Sequence, residues 1–89
     1  MTNAQKMAHH LAKAEGWQAV CEKYERAAAE QAPRQVHGRM GKQSALDLDY
    51  VADSLLDNFG YRKAVGARNF HQAQVAMYGI AALLDRMTP

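Results

Sequence analysis

Cysteine is almost missing from this chain of 89 residues: Cys21 stands alone, so no internal disulfide can form and the core has to hold without one, as in a reducing cytoplasm. Proline is scarce too, at Pro33 and Pro89 only, which leaves long stretches open to helix. Apolar runs are short. Residues 69–84 carry no Asp, Glu, Lys or Arg, but the stretch falls short of the roughly 18 residues a membrane span needs and contains Asn69, His71, Gln72 and Gln74. The N-terminus lacks the charged region, apolar run and small-residue cleavage site of a secretory signal, so a cytoplasmic location without membrane contact is expected. A net charge of +2 is too small to point to nucleic acid by itself.

Reactive chemistry is equally thin. No Ser, Cys or Lys stands in a recognisable nucleophile setting and no acid–base pair can be read across a pocket, so no catalytic residue and no enzyme activity are expected. His9, His10, His37 and His71 form no i,i+4 pair, and Cys21 has no Cys or His near it in sequence, which argues against a metal ligand set. Gly38 and Gly41 complete neither of the glycine patterns that cradle phosphates, and no cofactor is expected. Cys21 falls on an apolar stripe with Trp17 and Tyr24, as a buried structural thiol does.

What the chain does have is helical periodicity. Met7, Leu11, Ala14, Trp17, Cys21, Tyr24 and Ala28 recur every three or four residues, which predicts a long helix over about residues 4–31 with Asn3 as its N-cap. Glu22 and Arg26 are spaced for an i,i+4 pair. Pro33 is expected to close this helix, because it lacks an N–H and biases Ala32 away from the α region. Residues 33–44, with two glycines and no periodicity, then read as a basic loop. Ser44 is placed to cap a second helix, 45–59, whose buried face is Leu48, Val51, Leu55 and Phe59, with Gly60 as its stop. Asn69 is placed to cap a third, 70–87, with Tyr61 to Val65 as a separate helical turn. The expected fold is all-α: one domain, a small three-helix bundle or an open helical arrangement.

The last helix is apolar over most of its circumference. Phe70, Ala73, Met77, Ile80, Leu84 and Met87 form its main stripe, expected to face the core. Val75, Gly79, Ala82 and Leu83 then remain as a second strip for another copy of the chain or for a partner, so a homodimer is expected.

Charge runs in blocks. Arg34, Arg39 and Lys42 make one segment +3, Asp47, Asp49, Asp53 and Asp57 make the second helix −4, and Arg62, Lys63 and Arg68 return +3. Asp49, Asp53 and Asp57 lie one turn apart, a line that suits docking to a basic partner better than it suits a cation. The basic segments 34–42 and 62–68 offer a nucleic-acid surface as the alternative function. A helix-turn-helix does not fit, since the joining segment is too long and the following helix too apolar. The expected function is that of a small regulator, adaptor or inhibitor that binds another protein stoichiometrically, of the kind phages and mobile elements encode.

Overall fold

The computed structural model describes residues 1–40 and 45–87. All the regular structure among them is helical: α1 spans Asn3–Met40, α2 spans Ala45–Phe59 and α3 spans Tyr61–Met87. At 1.5 Å per residue α1 is about 57 Å long, and α2 with α3 end to end about the same. The molecule measures 69 × 18 × 14 Å, with a radius of gyration of 19.1 Å. A compact chain of this length would have about 12 Å. The open helical arrangement is therefore the one formed: α1 runs the length of a rod, and α2 and α3 return along it one after the other, touching each other little.

The return is antiparallel and in register. Ala32 and Ala28 pack with Val51 and Leu55, and Leu48, Ala52, Leu56 and Phe59 flank that cluster. Tyr24 meets the Phe59 ring at 5.6 Å between centroids, Gln18 meets Arg68, His10 meets Tyr78, and Asn3 meets Asp85. The α2 face is the one its periodicity predicts. The seam is built mostly from small side chains, since Ala14, Cys21, Ala28, Ala32 and Ala64 are buried along it. Small residues let two helices approach closely, so dispersion contacts replace bulky interdigitation.

Several expected boundaries are corrected. Thr2, not Asn3, caps α1: the Gln5 N–H donates to Thr2 Oγ1 at 3.1 Å and the Thr2 N–H to Gln5 Oε1 at 2.8 Å. This is the reciprocal Thr-x-x-Gln box, which satisfies two donors where Asn3 would satisfy one. Asn3 instead donates to the Asp85 carboxylate across the seam, 2.8 Å away. Pro33 does not close α1, which continues to Met40 with the proline inside it, so the expected loop 33–44 is helical through residue 40. Pro33 lies on the exposed side, and Ala32 beside it is buried against α2. Packing over that stretch offsets the lost hydrogen bond. Residues 41–44, with Lys42 and the expected Ser44 cap, lie outside the described residues, as do the side chains of His37, Arg39 and Asp47.

Gly60 separates α2 from α3 in a left-handed conformation, φ 84°, its N–H bonded to the Asp57 carbonyl at 3.2 Å. The turn at Tyr61 to Val65 is no separate element, because α3 starts at Tyr61 and runs through Gly66 and Asn69 without a break. Burial of Ala64 and half-burial of Tyr61 against α1 hold this first part of α3 in helix. Asn69 is thus mid-helix and caps nothing.

Candidate interaction surface

The two faces of α3 trade places relative to the expectation. Val75, Gly79 and Ala82 turn toward α1: Val75 shares a groove with Leu11 and Ala14, Ala82 lies beside Met7, and a Cβ on Gly79 would stand 3.2 Å from Met7 Sδ. The strip expected to bind a partner is the intramolecular seam, apart from Leu83 at its outer edge, which is 50% exposed. The main stripe faces outward. Phe70 is 55% exposed, Ile80 62% and Met87 71%, and Met77 and Leu84 are about as open. Ala73 between them is exposed too.

With Leu83 these side chains occupy about 140° of the circumference at 100° per residue. Six large side chains, each about half open, present on the order of 600 Å², the upper end of the largest apolar patch on ordinary monomers. No Asp, Glu, Lys or Arg interrupts the helix between residues 69 and 84. On the seam α3 places Ala64, Val75, Tyr78, Gly79 and Ala82, and it leaves Phe70, Met77, Ile80, Leu84 and Met87 outside.

The basic residues do not gather into one surface. Arg34 Nη2 pairs with Glu30 at 3.4 Å and Arg62 Nε with Asp57 at 3.1 Å, both at the exposed surface. Arg68 is turned into the seam, donating to Gln18 Oε1 at 2.9 Å and to Asn69 Oδ1 at 3.1 and 3.2 Å. Lys63 is exposed. In the antiparallel register Arg34 and Arg62 are about ten residues apart along the rod, roughly 15 Å. Asp49, Asp53 and Asp57 form the expected exposed row, of which Asp57 is paired within the chain. Glu22 accepts from Gln18 Nε2 at 3.0 Å, and no pair with Arg26 forms.

Two titratable sites emerge that spacing along the sequence does not show. His10 and His71, from α1 and α3, bring their Nδ1 atoms to 2.8 Å. His10 stacks on Tyr78 with 5.6 Å between centroids and 5° between planes and meets Phe70 and His9 edge-on, and Lys6 Nζ stands 5.5 Å from the centre of the Tyr78 ring. Partial burial, then the neighbouring His71 and His9, push the His10 pKa below the ordinary imidazole value. Tyr61, by contrast, is held above the ordinary phenol range by burial and by the Glu25 carboxylate. Cys21 is fully buried, as its stripe predicts.

No helix among the described residues is long and apolar enough to cross a membrane. The chain matches no family model, no curated protein and no solved structure. Its class is defined by its own geometry: an elongated α-helical hairpin with a broad apolar outer strip.

Proposed function

We propose that this protein is a non-enzymatic cytoplasmic regulator, adaptor or inhibitor, and that it acts by stoichiometric binding of another protein along the outer strip of α3. The carrying observation is the placement of Phe70, Met77, Ile80, Leu83, Leu84 and Met87 outside the α1–α3 seam, to which α3 contributes Ala64, Gly79 and Ala82 among others. An area on the order of 600 Å² approaches the roughly 800 Å² that each partner contributes to a standard interface. The strip is helical and free of charge, so its complement is another apolar helix face. A second copy of the chain offers one, and strip-to-strip packing of two hairpins gives a four-helix assembly. Nucleic-acid binding draws less support, because Arg34, Arg62 and Arg68 already have partners within the chain.

Ile80→Asp tests the reading, since it charges the middle of the strip and leaves the seam untouched. Sedimentation at about 100 μM and capture of partners from lysate, with and without nuclease, are compared for wild type and variant at matched helix content. Association that is insensitive to nuclease, changes little with salt and is lost in Ile80→Asp is the expected result. Association unchanged by the substitution, or abolished by nuclease, removes the strip as the binding face.

A further inference from the structure

We propose that His10 and His71 form a two-imidazole site bridging α1 and α3 for a divalent transition-metal ion of the kind imidazole binds, such as nickel(II) or copper(II). The pair is 61 residues apart in sequence and its Nδ1 atoms stand 2.8 Å apart. That spacing is a hydrogen bond between the rings, and it keeps both imidazoles within reach of one ion at about 2.0 Å once the rings turn. Both rings are half-buried, so one side of the pair opens to solvent that can fill the other positions. No third His, Cys, Asp or Glu among the described residues completes a closed set, so the site is a two-ligand chelate with water.

In the metal-free pair one Nδ1–H donates to the other Nδ1 lone pair. Binding requires the donor ring to move its proton to Nε2 and both rings to turn until their lone pairs converge, with no net proton released from the neutral pair. His10 is oriented by its stack on Tyr78, which lowers the freedom lost when the ion binds. The Lys6 ammonium over that Tyr78 ring opposes a second cation and limits affinity.

The site exists only when α1 and α3 are docked, so the ion also stabilises the fold. Calorimetric titration with nickel chloride and thermal melts are made on wild type, His10→Gln, His71→Gln and the His9→Ala/His37→Ala double variant. Glutamine keeps a polar side chain at the seam, and far-UV circular dichroism checks that each variant remains helical. The expected result is one nickel ion per chain, with melting raised by roughly 10–20 °C when the free ion is at about 100 times its Kd. Each Gln variant should lose at least tenfold in affinity along with the thermal shift. The double variant should bind as wild type, and magnesium chloride should do nothing. Nickel binding as strong in either Gln variant as in the wild type, or none below 1 mM in the wild type, overturns the site.

Discussion

Gly79 faces Met7 of α1, and there the space left by a missing side chain is what matters. A methyl group would press on Met7 Sδ, the flexible end of its side chain, so alanine can be accommodated, but a longer residue pushes the helices apart. Gly79→Leu should destabilise the protein by about 1–3 kcal/mol in urea denaturation. At Gly60 the constraint is the backbone. Its left-handed φ leaves open space around it, yet any L side chain is strained there. Gly60→Ala should cost about 1–2 kcal/mol although it touches nothing.

The histidine pair gives a second expectation at this scale. A base whose pKa is lowered by folding takes up protons more readily in the unfolded chain, so the stability it contributes is complete above its unfolded value near 6.5. That contribution is lost as pH falls through the lower folded value. Lys6 and His9 of α1 and His71 and Tyr78 of α3 surround His10, and no carboxylate among them compensates the added charge. In chelator-containing buffer the melting temperature should therefore fall between pH 7 and pH 5, and His10→Gln should flatten that slope. A wild-type melting temperature that stays level over this range would show that His10 does not couple protonation to folding.

Among the elements, α1 and α2 are legible from periodicity because each has one apolar face and one charged face. α3 is not, since both its faces are apolar and hydrophobicity alone leaves its rotational phase undetermined. The structure turns Ala64, Gly79 and Ala82 inward together with Val75 and Tyr78, and leaves Phe70, Met77 and Ile80 outside. The candidate strip could thus be read as a stripe, but not which way it turns. Pro33 and Gly66 look like terminators locally and are overridden by packing along α1, a contribution that only the partner helix supplies. The His10–His71 meeting leaves no local pattern at all. Pro33→Ala restores a backbone donor within a helix already formed, and should raise stability by about 1–3 kcal/mol if the seam there is as described. A loss of stability in that variant would show that the chain needs the proline ring where α1 passes α2.

For the whole molecule, shape separates the modes of association. The strip, residues 70–87, covers about 27 Å at one end of the 69 Å rod, so two copies packed strip to strip stay near the length of one rod if parallel and reach about 110 Å if antiparallel. Tip-to-tip association would nearly double the length of one rod. Small-angle scattering of the associated species should give twice the mass with a maximum dimension of about 110 Å or less, and Ile80→Asp should return both mass and profile to those of a single rod.

The antiparallel register also orders events in time. Contacts of α1 with α2 close the shortest stretches of chain, those near Gln18 and Arg68 close longer ones, and Asn3 with Asp85 closes almost the entire sequence. Chain entropy makes each wider closure costlier unless the one before it has already formed. The rod should therefore zip from the α1–α2 end toward its two termini. Fraying should run the other way, so the Asn3–Asp85 clasp is the latch that sets how long the open ends stay together.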